Sequence, residues 1–137
     1  MPRILALDYG SKRVGVAETD DLKMIASPLT TVHAKDLMSF LQNYLIKYEV
    51  EAIVVGEPKR LDGGVTHSTK MINEFTVHLG RKFPGLTIHR VDERFTSKMA
   101  AQTLNMAGAS ASKKREKGVL DAISAAIILQ SFLSSKS

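Results

Sequence analysis

Short apolar runs alternate with amphipathic stretches along this chain of 137 residues. Residues 4–7 and 14–17 are two apolar runs, and the short glycine-containing connection between them is typical of a β-hairpin. A third strand is predicted over residues 25–32, where Pro28 indicates a sheet edge or the start of a strand. Because residues 4–7 are uniformly apolar, we expect a central strand that is buried on both faces.

Helices and strands alternate in the remainder of the chain. Strands are predicted over residues 51–56 and 86–91, and helices over residues 34–48, 66–83, 98–106 and 119–133. The last of these helices is apolar nearly all round, which predicts that it is buried against the sheet. Alternation of helix and strand favours parallel pairing. The pattern therefore indicates one α/β domain spanning residues 1–137.

Composition narrows the chemistry that this domain can use. The chain has no cysteine, which excludes disulfides and thiolate metal sites and fits a cytoplasmic protein. The chain has no apolar run of membrane-spanning length, and we expect neither a membrane span nor a signal peptide. The formal charge of +5 and the isoelectric point of about 9.6 favour a polyanionic partner. Any metal would be held by carboxylates or imidazoles, and carboxylates favour Mg²⁺ or Mn²⁺.

Acidic residues stand at the ends of three predicted elements. Asp8 follows the first strand, Asp92 and Glu93 follow the strand over residues 86–91, and Asp121 lies in the predicted first turn of the last helix. Asp8 could merely cap a turn, and Asp121 could merely be an acidic residue that the helix dipole stabilises in a first turn. If the first and last strands are neighbours, however, the three positions converge. Converging carboxylates need a counter-ion, and two divalent ions about 4 Å apart assist the attack of water on a phosphodiester.

Basic residues accompany these acidic positions. Lys12 and Arg13 lie in a turn flanked by Gly10 and Gly15. Lys59 and Arg60 follow a strand at the edge where open α/β sheets bind ligands, although an ordinary turn explains them equally well. Residues 107–118 form either a solvated loop or a basic loop that holds a phosphate backbone. The cations of that segment are Lys113, Lys114, Arg115 and Lys117.

Four motifs in order resemble the YqgF family, and the element order resembles the ribonuclease H-like fold. The motifs are Leu7-Asp8-Tyr9-Gly10 with Arg13-Val14-Gly15-Val16-Ala17, Val54-Val55-Gly56-Glu57-Pro58 with Asp62-Gly63, Val91-Asp92-Glu93-Arg94-Phe95-Thr96-Ser97, and Lys117-Gly118 with Asp121-Ala122-Ile123-Ser124-Ala125-Ala126. Members of this family are described as pre-16S ribosomal RNA nucleases and as Holliday-junction-resolvase-like. The resemblance covers residues 4–133 and implies a five-stranded mixed sheet, with three antiparallel strands followed by parallel ones and helices on both sides.

The resemblance also implies roles for individual residues. Asp8, Glu93 and Asp121 match the metal-binding catalytic carboxylates, with Mg²⁺ or Mn²⁺ as cofactor. Arg94 would lie near the substrate phosphates together with Lys12 and Arg13, and Asp92 would support the end of its strand. Glu57 stands where the family often has an apolar residue. It would add a fourth carboxylate or pair with Lys59 or Arg94.

The leading hypothesis is a hydrolase of ester bonds, an endonuclease that acts on structured RNA. Processing of the 5′ end of pre-16S ribosomal RNA follows from the resemblance alone, with a ribosomal particle as a further partner. One alternative is cleavage of branched DNA at a junction, and symmetric cleavage there would need a dimer. Another is a non-catalytic nucleic-acid-binding module in ribosome assembly or transcription. Such a module gains nothing from carboxylates beside phosphates, which favours the enzyme. On every hypothesis we expect a monomer or a weak homodimer.

Overall fold

The computed structural model describes residues 2–10, 12–20, 25–57, 67–92 and 117–135. Within these residues it contains five strands, one 3₁₀ turn and three α-helices. The elements are β1 (Arg3–Tyr9), β2 (Arg13–Thr19), β3 (Ala26–His33), the 3₁₀ turn (Ala34–Asp36), α1 (Leu37–Lys47), β4 (Val50–Glu57), α2 (His67–Lys82), β5 (Thr87–Asp92) and α3 (Lys117–Ser135). The helix predicted over residues 98–106 lies outside the described residues.

The five strands form one mixed sheet in the order β3-β2-β1-β4-β5. The pairs β1–β2 and β2–β3 are antiparallel, whereas β1–β4 and β4–β5 are parallel. The predicted sheet, the central position of β1 and the edge position of β3 are therefore confirmed. Pro28 pairs with Ala17 next to a register shift, because a proline has no N–H for the ladder and is tolerated at an edge or bulge.

Both faces of the sheet are covered, as the uniformly apolar run in β1 predicted. Successive side chains of a strand point to opposite faces, and the strand accordingly supplies two cores. Leu5 and Leu7 are buried in a cluster with α1 and α2, which we call the α1/α2 cluster. Ile4 and Ala6 are buried in a second cluster with α3, which we call the α3 cluster.

The helix α3 is buried along much of its length, as its apolar sequence predicted. Its buried residues are Ala122, Ser124, Ala125, Ala126, Ile127, Ile128, Leu129 and Phe132. The helix begins at Lys117, two residues before the predicted start, so Lys117 and Gly118 belong to it rather than to the basic loop. Asp121 is consequently the fifth residue of α3, and the prediction of a first-turn position was wrong. Because the dipole effect fades within the first turn, it explains Asp121 poorly.

One premise about the sheet was also wrong: β1 and β5 are not neighbours. The strand β4 pairs with both and separates them. The acidic positions can still meet, because β1, β4 and β5 run parallel and end at the same edge of the sheet. No helix in the part of the chain that the structure describes is long and apolar enough to cross a membrane.

The connection between β3 and α1 differs slightly from the predicted helix over residues 34–48. Its first three residues form the 3₁₀ turn, and α1 ends at Lys47. His33 caps this turn, since its Nδ1 accepts a hydrogen bond of 3.3 Å from the backbone N–H of Lys35. The exposed ring of His33 therefore has a structural role.

Candidate active site

Asp8 lies near the end of β1 on the side of the sheet that α3 covers. The alternation of side chains places it on the same face as Ile4 and Ala6, whose side chains belong to the α3 cluster. Asp8 is half-buried, whereas the four residues before it are buried. The carboxylate thus stands where the apolar core gives way to solvent, at the edge of the sheet predicted to bind a ligand.

Gly15 connects Asp8 to α3. It is the direct partner of Asp8 in the antiparallel pair of β1 and β2, and directly paired residues share one face of a sheet. A β-carbon on Gly15 would lie 2.0 Å from the carbonyl oxygen of Asp121 and 2.8 Å from the amide nitrogen of Ala122. The backbone of α3 therefore packs directly against the backbone of β2 at Gly15, where no side chain intervenes. This contact brings the chain at Asp121 beside Asp8.

Arg13 binds the carboxylate of Asp121. Its Nε donates a hydrogen bond of 2.9 Å to Oδ2 of Asp121, and the two side chains are 42% and 26% exposed. Arg13 lies two residues from Gly15 on the same face of β2, so it is a diagonal neighbour of Asp8. One arginine thus binds an acidic residue of α3 from a strand position diagonal to an acidic residue of β1.

The turn between β1 and β2 is held by backbone hydrogen bonds on both sides. Gly10 N–H donates to the carbonyl of Arg13 at 3.0 Å, and Ala34 N–H donates to the carbonyl of Lys12 at 2.9 Å. A β-carbon on Gly10 would lie 2.7 Å from the Arg13 carbonyl oxygen, which explains the glycine there. The turn presents the exposed side chain of Lys12 at the same edge of the sheet as Asp8.

Other predicted site residues are described in part or not at all. Glu57 and Asp92 are backbone partners at the ends of β4 and β5, and their side chains lie outside what the structure describes, as does that of Lys117. Among the described residues, no three His, Asp or Glu side chains form a group that could hold a metal ion. The predicted residues outside the described ranges are Lys59, Arg60, Glu93, Arg94, Lys113, Lys114 and Arg115.

Two features of the site escaped the sequence analysis. Gly15 was interpreted as the end of a turn, but it is the third residue of β2 and the contact point of α3. A glycine inside an apolar strand often marks a close backbone approach, and that signal was available. The pairing of Arg13 with Asp121 joins residues 108 positions apart, and no local pattern predicts it.

Comparisons with known proteins agree with the motif-based resemblance. The model of the RuvX family, also called YqgF and described as "Holliday junction resolvase", matches residues 2–135. A protein of Flavobacterium johnsoniae is 50% identical over 136 residues, which cover 99% of each chain. A protein of Christiangramia forsetii is 53% identical over 133 residues, which cover 97% of this chain and 98% of the relative. Both relatives carry the name "Putative pre-16S rRNA nuclease".

Solved structures of similar shape confirm the predicted ribonuclease H-like fold. A fowlpox virus resolvase in complex with Holliday junction DNA superposes with a TM-score of 0.60 at 12% identity, covering 98% of both chains. RuvC of T. thermophilus in complex with a Holliday junction substrate gives a TM-score of 0.59 at 12% identity, covering 100% of this chain and 97% of the other. At such low identity the likeness concerns the fold alone.

Proposed function

This chain belongs to the RuvX family, and we propose that it is a metal-dependent endonuclease that hydrolyses phosphodiester bonds in the precursor of 16S ribosomal RNA. The observation that carries the proposal is the contact of the Asp121 backbone with Gly15, the strand partner of Asp8. Carboxylates in this position would repel a nucleic acid unless a cation neutralises them. Their placement therefore favours an enzyme over a protein that only binds nucleic acid.

The donor set fits a hard divalent cation such as Mg²⁺ or Mn²⁺. Asp8 and Asp121 offer carboxylate oxygens, which these ions prefer, and the pairing with Arg13 marks Asp121 as a place where positive charge already binds. When bound, the ion would lower the pKa of a water molecule and neutralise charge on the phosphate. Glu93 is the proposed third carboxylate. It directly follows β5 in the sequence, two positions beyond Val91, whose side chain packs against the α3 cluster.

The cationic residues have the proposed role of binding substrate phosphates. Lys12 lies on the turn and Arg13 begins β2, at the edge of the sheet where Asp8 stands. Lysine and arginine contacts to phosphates supply affinity without sequence selectivity, and they make binding depend on salt. The further residues proposed for this role are Lys59, Arg60, Arg94, Lys113, Lys114, Arg115 and Lys117.

An RNA precursor is the substrate that the relatives favour. Proteins of 42% to 53% identity over nearly the whole chain carry the name "Putative pre-16S rRNA nuclease". With this substrate the protein would act in the cytoplasm, on free RNA or on a ribosomal particle. The family description favours a second candidate, cleavage of four-way DNA junctions. Symmetric cleavage of a junction needs two copies of the chain, whereas a single cut in RNA needs one.

The test compares cleavage of an end-labelled RNA that spans the 5′ end of the 16S precursor with cleavage of a four-way DNA junction. Each substrate is incubated with Mg²⁺, with Mn²⁺ or with EDTA. The proteins are the wild type, Asp8→Asn, Asp121→Asn and a control, Asp36→Asn. The control removes an exposed carboxylate that makes no side-chain cap at the start of α1.

We expect metal-dependent cuts by the wild type and by Asp36→Asn, and a loss of at least about 100-fold in both Asp8→Asn and Asp121→Asn. Preference for the RNA would support the ribosomal substrate, and preference for the junction would support the second candidate. Cleavage that persists in EDTA, or in Asp8→Asn, would contradict the proposal. Salt-sensitive binding of the RNA without any cleavage would instead support a binding module.

A further inference from the structure

The ion pair of Arg13 and Asp121 occupies a carboxylate to which, on the proposed function, a divalent cation would bind. We propose that Arg13 exchanges partners at this site. In the metal-free protein it holds Asp121, and the binding of a divalent cation releases it to a substrate phosphate. This inference rests on the proposed function, because it requires a cation at Asp121. It adds a regulatory step: the cation binds first, and Arg13 becomes able to bind a substrate phosphate only afterwards.

The ion pair is suited to being broken. Both side chains are partly exposed, at 42% for Arg13 and 26% for Asp121, and solvent screening makes such pairs weak. Arg13 binds through Nε to a single carboxylate oxygen, Oδ2. A divalent cation carries twice the charge of a guanidinium and prefers carboxylate oxygens. It therefore competes with Arg13 for Asp121, and the two positive charges repel each other.

The released side chain remains where a phosphate would bind. Arg13 is the first residue of β2, and the turn before it is fixed by the backbone hydrogen bonds of Gly10 and Ala34. Its diagonal position relative to Asp8, roughly 7–8 Å away on the same face, keeps it at the site. A guanidinium binds phosphate oxygens in a bidentate manner. Exchange of partners thus couples the binding of metal and RNA, and such coupling is reciprocal.

The first test measures the affinity for Mn²⁺ by titration calorimetry in the absence of nucleic acid. The proteins are the wild type, Arg13→Gln, Lys12→Gln and Asp8→Asn. Arg13→Gln removes the competing guanidinium, so we expect it to bind Mn²⁺ about fivefold more tightly, or more, than the wild type. Lys12→Gln removes the same charge from the neighbouring residue and controls for the local field. We expect it to change the affinity by less than about twofold.

The outcomes separate this inference from the proposed function. Weaker Mn²⁺ binding by Asp8→Asn supports the carboxylate site itself. If Asp8→Asn weakens binding while Arg13→Gln behaves like Lys12→Gln or like the wild type, the exchange is refuted and the proposed function stands. If Asp8→Asn has no effect on binding, both proposals are refuted.

A second test uses the wild type and does not depend on how a variant folds. The Nε–H signal of Arg13 is followed by nuclear magnetic resonance while Mg²⁺ is added. We expect the signal to move towards its position in metal-free Asp121→Asn, where the carboxylate charge is missing. An Nε–H signal that stays in place at saturating Mg²⁺ refutes the exchange.

The phosphate half of the exchange is tested by RNA binding. The affinity for a structured RNA is measured with and without Ca²⁺, and a gel confirms that the RNA stays intact. We expect Ca²⁺ to raise the affinity by a larger factor in the wild type than in Arg13→Gln, because only the wild type releases a guanidinium. Equal factors in the two proteins refute the coupling.

Discussion

Gly15 and Asp121 are in backbone contact: a β-carbon on Gly15 would lie 2.0 Å from the Asp121 carbonyl oxygen. No real β-carbon approaches an oxygen so closely, so any other residue at position 15 must push α3 away from β2. The same displacement would separate Asp121 from Asp8, the strand partner of Gly15. The stability of the fold and the geometry of the site therefore both depend on the absence of a β-carbon at position 15.

The substitution Gly15→Ala should destabilise the protein and impair the site together. We expect a loss of about 2 kcal/mol or more in the free energy of unfolding, because the clash involves backbone that cannot rotate away. Thermal unfolding monitored by circular dichroism measures this loss. Gly85→Ala is the matched control, since a β-carbon there meets nothing within 4 Å, and we expect a change within about 0.5 kcal/mol. Equal stability of the two variants would contradict the described packing.

Asp121→Asn should separate stability from activity. Its ion pair with Arg13 is partly exposed, and such pairs contribute about 0–1 kcal/mol. We therefore expect the free energy of unfolding to fall by no more than about 1 kcal/mol, while cleavage is lost as in Asp8→Asn. Urea denaturation and the cleavage assay, run on one preparation, measure the two effects. A large loss of stability would mean that Asp121 is a structural residue, and the site assignment would fail.

Lys12→Gln should weaken RNA binding in a way that depends on salt. Lys12 is exposed on the turn beside the acidic residues, and a lysine that contacts one phosphate releases about one counterion. We expect the slope of log affinity against log salt to become shallower by about 1. Filter binding between low and physiological salt measures it. Arg81→Gln, an exposed change in the last turn of α2, is the control and should leave the slope unchanged.

Thr19→Val should destabilise the protein at the point where the end of β2 meets the start of β1. The Thr19 hydroxyl is buried, at 1% exposure for the residue, and accepts a hydrogen bond of 3.0 Å from the backbone N–H of Ile4. Valine has the same shape but leaves that N–H without its acceptor, which costs about 1–3 kcal/mol. Thr30→Val, on the half-buried part of β3, is the control and should change stability by less than about 0.5 kcal/mol. Chemical denaturation of both variants measures the change in the free energy of unfolding.

Tyr44 should make stability depend on pH in the alkaline range. Its hydroxyl donates to Glu18 and accepts a hydrogen bond of 3.2 Å from Arg3. Burial and the bond to Glu18 raise the pKa of Tyr44 to about 12, above the ordinary value of 10.0. The folded state thus holds the proton more tightly than the unfolded state. The resulting stabilisation is complete below pH 10 and is lost as the pH rises through 12.

Thermal unfolding of the wild type and of Tyr44→Phe between pH 9 and pH 12 tests this expectation. We expect the advantage of the wild type in Tm to shrink across this interval, because phenylalanine has no proton to lose. Tyr48→Phe, which changes an exposed ring, is the control. A constant difference in Tm between the wild type and Tyr44→Phe would contradict the raised pKa.

Much of the fold could be predicted because it is encoded locally. The uniformly apolar run before Asp8 identified a strand covered on both faces, and the apolar helix near the C-terminus identified α3. The order of the sheet was harder. Nothing in the sequence of β5 says that β4 would separate it from β1, because strand order depends on how the crossover helices pack.

The candidate site, like the fold, could be predicted from the sequence only in part. Asp8 and Asp121 could be selected because each adjoins an apolar run at a position that the sequence predicted to be an element end. The contact of Gly15 with α3 and the pairing of Arg13 with Asp121 are tertiary, and they depend on a helix that follows more than 100 residues later. The role of Glu93, which lies outside the described residues, stays a prediction.

The docking of α3 on the first hairpin also determines the stage of synthesis and folding at which the candidate site forms. Arg13 and Asp121 are 108 residues apart, so their meeting closes a loop that spans most of the chain, and long-range contacts of this kind form late in folding. A nascent chain therefore carries Asp8 long before it carries its acidic partner. On the proposed function, the ribosome that synthesises this protein is not exposed to an assembled nuclease until α3 has been translated and has folded onto β2.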